Sequence, residues 1–258
     1  MKILLVAIIA LAFAPGLIAQ VPDPPPADPP TPTDRPVSWT KLVPNLASDQ
    51  KQIWMFPTKL GKRKYWIPAA AIVGVTAGLV ALDPVTARYF RNTSSFDGFN
   101  HVFPGKATDI ANIVAPLSLY AAGLIRKDSK MQSTALLAGE AIANAEILTT
   151  VMKDVDRRLR PADIAPHGDF SDSWFRDNKR YLRSNGSFPS GHTIVAFSVA
   201  TVVSRRYGSQ HRWVPYVAYG TAAVLGLSRA SLSSHWVSDV FAGGALGYSI
   251  SRFTVLRQ

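Results

Sequence analysis

The chain has 258 residues, 47% hydrophobic and 17% charged, which leaves room for one large domain or two small ones and excludes bulk disorder. It contains no cysteine, so disulfide frameworks, thiolate zinc sites, iron–sulfur clusters and cysteine nucleophiles are all excluded. Twenty-eight Lys and Arg against 17 Asp and Glu leave a formal charge of +11, which favours an anionic partner: a phosphorylated substrate, an anionic lipid surface or nucleic acid.

The chain opens with Lys2 and an apolar stretch from Ile3, broken by Pro15 and Gly16 and ending on Ala19 before Gln20. This pattern predicts a secretory signal over residues 1–19, with an uncleaved anchor as the alternative because Leu17 sits poorly three places before the cut. Export to a cell envelope or periplasm argues against nucleic acid as the natural partner. Residues 21–36 are half proline, which blocks helix and central strand alike and predicts an extended polyproline-II tether over 20–45. A helical domain is expected over 46–258.

Beyond the tether the hydrophobic pattern is helical. Apolar stretches run over residues 66–82, 110–125, 193–204, 213–228 and 240–251, and a sixth over 134–153 carries Glu140 and Glu146. Alternating strand patterns with hairpin turns are missing, so the fold class is all-α, a bundle of about six main helices with the active site formed at helix ends. Ala69 to Ala71, Gly74, Gly78, Gly243, Gly244 and Gly247 are small enough to allow close helix–helix contact. None of the uncharged runs reaches about 18 residues, so a membrane-embedded bundle and a compact soluble one both remain open.

Three short segments carry the chemistry. The first starts at Lys153 and ends in Arg160 and Pro161, where the proline is expected to stop the preceding helix. The second is Pro189-Ser190-Gly191-His192, a turn that leads into an apolar helix. The third joins Ser228 and Arg229 to His235 and Asp239. Lys153, Arg160 and Arg229 are three cations that would surround a tetrahedral dianion, the guanidinium forks giving paired hydrogen bonds. Ser190 offers a hydroxyl, Gly191 lets backbone amides approach closely, and a helix N-terminus there favours an anion. His192 stands at the same end, placed to protonate a leaving oxygen. His235 and Asp239 are four apart, hence on one helical face if the last helix has begun, and the carboxylate would hold one imidazole nitrogen while the other acts as nucleophile. Each segment alone has an ordinary reading as a helix end, a turn or a local hydrogen bond. Together they supply cations, acid, nucleophile and orienting carboxylate.

This ordered set resembles the type 2 phosphatidic acid phosphatase and vanadium haloperoxidase superfamily at every motif position, over roughly a third of the chain. The resemblance implies an α-helical bundle and a metal-independent phosphatase that cleaves phosphate monoesters or pyrophosphates through a phosphohistidine. It implies His235 as nucleophile, Asp239 as its orienting partner and His192 as general acid and then base. Lys153, Arg160, Ser190, Gly191 and Arg229 correspond to the phosphate-binding set, with no metal and no cofactor, and vanadate is expected to inhibit. The apolar helices and the basic residues 62–64 point to lipid phosphates and membrane association. A broad-specificity soluble periplasmic acid phosphatase, a vanadium-dependent haloperoxidase and a non-catalytic phosphate- or lipid-binding protein are the alternatives. Oligomeric state has no handle in the sequence.

Outside these segments, residues 162–188 form a polar, aromatic-containing loop that either covers the site or lies on the surface. His167 reads as a solvated loop histidine. Glu140, Asn144 and Glu146 either form an outer layer around the site or face solvent. Trp54, Trp66, Trp213 and Trp236 suit a membrane interface and core packing equally.

Overall fold

The computed structural model describes residues 35–177 and 186–257. The expected signal over 1–19 and most of the tether lie outside the described residues. Among them are eight α-helices and no strand: α1 (Leu42–Trp54), α2 (Arg63–Asn92), α3 (Asp97–Val102), α4 (Gly105–Ile125), α5 (Ser129–Asp156), α6 (Gly191–Tyr207), α7 (Val214–Ser231) and α8 (Val237–Ile250). The six expected helices are α2, α4, α5, α6, α7 and α8; α1 and α3 are short additions. All-α is therefore the fold class.

Local chemistry sets several boundaries. Asp128 caps α5, its Oδ1 accepting from the Met131 amide at 2.9 Å. Pro104 and Pro215 stand at the starts of α4 and α7, where a missing amide hydrogen costs nothing. α5 ends at Asp156, with four residues between it and Pro161, a correction to the expected stop. Arg157 adopts a left-handed conformation (φ 43°), and its amide closes on the Lys153 carbonyl at 3.1 Å.

The centre of the bundle is α6, packed against α5, α7 and α8 and buried along almost its whole length. Leu137, Ala141, Ile194, Val202 and Val255 form the middle of the largest apolar core. α8 lies against α6 at close range through Gly243 and Gly247. A Cβ on Gly247 would stand 2.3 Å from the Ile194 carbonyl oxygen, and one on Gly243 2.8 Å from that of Ser190. Gly74 and Gly78 have nothing within 4 Å of such a Cβ, so the expected close contact through small residues holds on α8 and not on α2.

Folded structure starts earlier than residue 46. Arg35 pairs with Asp49 of α1 at 2.6 Å and with Glu140 of α5, and Asn45 donates to Glu140 at 2.7 Å. Asn144 donates to Asp49 at 3.0 Å and accepts from Gln50 at 2.8 Å. Glu140 and Asn144 thus face neither solvent nor the three motifs. They are buried polar groups satisfied by the N-terminal strap, which is why residues 35–45 are drawn onto the bundle.

The outer surface is unusually apolar for so polar a site. α2 carries an 18-residue window of mean hydropathy 1.8, none of it buried, and Trp66, Val73, Val75, Leu82 and Val85 point outward from it. α4 adds Ile113, Leu117 and Leu124. α2 and the α5 region are long and apolar enough to cross a membrane. Trp54, Trp66 and Trp213 are about half exposed, whereas Trp236 is a core residue.

Candidate active site

The last turn of α5 delivers Lys153, whose buried ammonium lies 3.6 Å from where a Cβ on Gly191 would stand. That contact joins the first and second motifs. The left-handed turn at Arg157 then sends residues 158–160 across the helix ends in an extended strip. The strip is held by the Leu159 amide on the Ser173 carbonyl and the Ser187 amide on the Arg158 carbonyl, both at 2.8 Å. Arg160 reaches the Ser234 carbonyl at 3.4 Å, beside His235.

Ser190 caps α6 in extended conformation, so Gly191 and His192 present the first amides of a 17-residue helix. The Ser190 amide donates to the Asp239 carbonyl at 3.1 Å, and its Oγ accepts from the Thr193 hydroxyl at 2.9 Å. Its own hydroxyl hydrogen is not used by either contact. The main-chain carbonyl of His192 is held by Asn112 of α4 at 3.3 Å.

Arg229, in the last turn of α7, is buried. Its Nη2 donates to the Phe103 carbonyl and to Ser228 Oγ, both at 2.9 Å, and Nη1 stands 3.4 Å from a Cβ built on Gly105 at the start of α4. Its carbonyl accepts the amides of Ser234 and His235, while Ser233 takes a left-handed φ of 54°. This tight turn places His235 two residues ahead of α8, not on it. The expected shared helical face is therefore corrected: Asp239 Oδ2 accepts the Trp236 amide at 3.0 Å and stands 3.5 Å from His235 Nδ1. The short partner of Nδ1 is the Ser187 carbonyl, at 2.7 Å. Burial pushes the His235 imidazole down to about 4, Asp239 opposing this while the charges of Arg160 and Lys153 add to it.

The structure brings Lys153, Arg160, Ser190, Gly191, His235 and Asp239 into one connected cluster, with Arg229 anchored through its backbone and His192 next in chain to Gly191. It also assembles residues that the sequence reading passes over. Arg158, 1% exposed, donates from Nη1 to Asp239 Oδ1 at 2.6 Å and Ser238 Oγ at 2.8 Å, and from Nη2 to Asp83 Oδ2 at 2.7 Å. Its Nε reaches Ser173 Oγ at 3.2 Å, and its guanidinium lies between the rings of Trp174 and Trp236, 4.3 and 4.6 Å from their centroids. Ser187 donates its hydroxyl to Asp239 Oδ2. Asp83 also accepts from the Ser238 amide at 3.1 Å. One signal was available: Asp83 is a lone carboxylate ending an apolar run, and such a group needs a buried partner.

The described parts of the 161–188 segment, residues 161–177 and 186–188, brace this network from behind. Phe170 packs edge-on against Trp236, Arg91 of α2 donates to the Pro161 carbonyl at 2.9 Å, and Trp174 packs against Phe188. His167 is exposed, as expected. Residues 178–185, including the end of the expected aromatic stretch, lie outside the described residues.

Comparison with known proteins gives matches in sequence and in structure. The family model of the PAP2 superfamily matches residues 134–258. Over 70 residues, 26% of this chain and 16% of the relative, the sequence is 44% identical to a lipid A 1-phosphatase of Porphyromonas gingivalis. Over 108 residues, 39% of this chain and 46% of the relative, it is 34% identical to phosphatidylglycerophosphatase B of Bacillus subtilis. The chain thus spans less than half the length of each of these relatives. Among solved structures, the transmembrane PAP2 type phosphatidylglycerolphosphate phosphatase from Bacillus subtilis aligns with 81% of this chain and 94% of its own, at 21% identity and a TM-score of 0.43.

Proposed function

We propose, from the premise that residues 134–258 of this chain belong to the PAP2 superfamily, that the protein is a phosphatase that passes the phosphoryl group of a monoester or pyrophosphate to His235 and then to water. The observation that carries this reading is the 2.7 Å contact of His235 Nδ1 with the Ser187 carbonyl. A carbonyl oxygen only accepts, so Nδ1 holds the proton and the neutral ring keeps its lone pair on Nε2. A nucleophilic nitrogen is thereby fixed beside Lys153 and Arg160.

In the first step the Nε2 lone pair forms the N–P bond, and the bond from phosphorus to the leaving oxygen breaks with a proton delivered by His192. Lys153, Arg160 and Arg229, with the Ser190 hydroxyl and the α6 amides at Gly191, meet the charge on the equatorial oxygens. Asp239 stabilises the imidazolium that develops on His235. In the second step His192 takes a proton from water, water oxygen attacks phosphorus, the N–P bond breaks and inorganic phosphate leaves. The cations supply the charge stabilisation, so the reaction proceeds without metal, and vanadate, which mimics the five-coordinate phosphorus, inhibits it.

The substrate is a lipid phosphate, and the bundle sits in a membrane with its motif end facing the periplasm. The unburied apolar face of α2, the half-exposed tryptophans and the names of both curated relatives support this reading. The deciding assay is phosphate release by the purified chain in detergent with EDTA, from phosphatidic acid and from an aryl phosphate. Turnover of the lipid at roughly tenfold or more above the aryl ester is the expected result. Equal turnover of both substrates would favour a broad-specificity phosphatase.

The low His235 value sets the pH response. Protonation of Nε2 removes the nucleophile, and this happens only as pH falls through about 4. After correction for ionisation of the substrate, kcat/KM should therefore hold through pH 6 and drop near pH 4. A limb at pH 6 to 6.5, the range of an unburied histidine, contradicts the buried nucleophile.

A further inference from the structure

We infer that Arg158 is a positioning residue for this reaction, orienting the Asp239 carboxylate beside His235, and that Asp83 and Ser238 hold Arg158 in place so that α2 takes part in the catalytic machinery. The inference rests on the proposed histidine mechanism and assigns a function to a residue outside the substrate contacts.

The geometry makes the case. Asp239 is fully buried, and a buried carboxylate persists as a charge only where its oxygens are engaged. Oδ2 accepts from the Ser187 hydroxyl and the Trp236 amide; Oδ1 accepts from Arg158 at 2.6 Å. Ser187 is thus shared: its hydroxyl fixes the carboxylate and its carbonyl fixes His235 Nδ1. If the carboxylate rotates, the Ser187 hydroxyl and the imidazole lose their common reference. Arg158 prevents that rotation because its planar fork is held on every side, by Asp83 at 2.7 Å, Ser238 at 2.8 Å, Ser173 at 3.2 Å and the rings of Trp174 and Trp236. A lysine would supply the charge but not the fork.

Removing Arg158 leaves two buried carboxylates, Asp83 and Asp239, around one empty position. The other charged groups acting on Asp239 are Lys153 and Asp156 from α5 and His235 itself, while Arg160 acts on His235 from the 158–160 strip. Without the guanidinium, proton uptake by the carboxylate pair is favoured, first at Asp83, which burial already pushes up, and Asp239 loses the partner that fixes Oδ1.

The test uses the full-length chain in detergent and follows kcat, KM and their pH profiles on one lipid phosphate. Arg158→Gln is expected to lower kcat roughly 10- to 100-fold with KM nearly unchanged, and to move the acid limb of kcat upward. Arg158→Lys should recover part of kcat. The double variant Asp83→Asn/Arg158→Gln decides between positioning and mere charge balance. If Arg158 orients Asp239, the double variant stays as slow as Arg158→Gln. If Arg158 only neutralises Asp83, the double variant recovers the activity of Asp83→Asn, and the inference is overturned. An unchanged acid limb and kcat in Arg158→Gln also overturn it, while leaving the phosphatase reading intact. A wild type inactive on every phosphate ester overturns both. Should Arg158→Gln fail to fold, the comparison of Arg158→Lys with wild type carries the test: an unchanged kcat and pH profile count against positioning.

Discussion

Replacing His235 by alanine is expected to cut phosphate release by roughly 10⁴-fold or more, with the bundle still folded. The size follows from chemistry. His235 provides the only bond the enzyme makes to phosphorus in the proposed cycle, and direct attack by water must then cross the whole barrier that the covalent step divides in two. The fold should survive because the short contact of the ring is Nδ1 to the Ser187 carbonyl, with Asp239 and the Ser187 hydroxyl more distant at 3.5 Å, and the neighbouring Trp236 supplies the packing. Loss of that contact leaves an unpaired carbonyl and a small cavity, for about 1–3 kcal/mol. Wild type quenched in alkaline detergent after incubation with ³²P-labelled substrate should retain an acid-labile, base-stable label that His235→Ala lacks. A variant that turns over at the wild-type rate would remove the histidine mechanism and leave another nucleophile to be found.

A second large effect is expected far from phosphorus. In Gly247→Val the new side chain enters a space where even a Cβ would stand 2.3 Å from the Ile194 carbonyl oxygen and 3.1 Å from the Ser198 amide nitrogen. Those atoms are helix backbone and cannot swing aside, so α8 must move away from α6. Overpacking of this kind costs about 1–3 kcal/mol or more. The separation also reaches the site, because the Ser190 amide at the head of α6 donates to the Asp239 carbonyl in the first turn of α8. Thermal unfolding in detergent should show a clear loss of stability together with a fall in kcat. Gly74→Ala is the control: nothing lies within 4 Å, and the gain in helix propensity makes it neutral or slightly stabilising. Equal behaviour of the two variants would mean that α6 and α8 are not in close contact.

Much of this protein is legible from residues alone, and the reason is locality. Six helices follow from apolar stretches because helical hydrogen bonds join residues four apart, so composition over a short window decides them. Lys153, Arg160, Ser190, Gly191, His192, Arg229, His235 and Asp239 are visible because each sits in a short segment of unusual chemical content at a helix end. The end of α5 is not legible for a related reason: Pro161 is a conspicuous stop, whereas the left-handed Arg157 that ends the helix carries no sequence sign.

What the sequence by itself determined is therefore the all-α class, the membership of the motif set and the kind of chemistry it suits. Which atoms touch which is decided by the tertiary structure alone. The sequence has Asp239 hold one imidazole nitrogen of His235, yet the Ser187 carbonyl lies at 2.7 Å from Nδ1 and the carboxylate at 3.5 Å, because the turn at Ser233 holds His235 off the helix that carries Asp239. Arg158 looks like a spacer between Lys153 and Arg160 until Asp83, 75 residues earlier, and Asp239, 81 residues later, close on it. Glu140 and Asn144 find their partners in the strap at Arg35, Asn45 and Asp49. Buried polar groups must pair somewhere, and the demand can be read from one segment. The partner that meets it depends on how distant helices pack, and no local window contains that information.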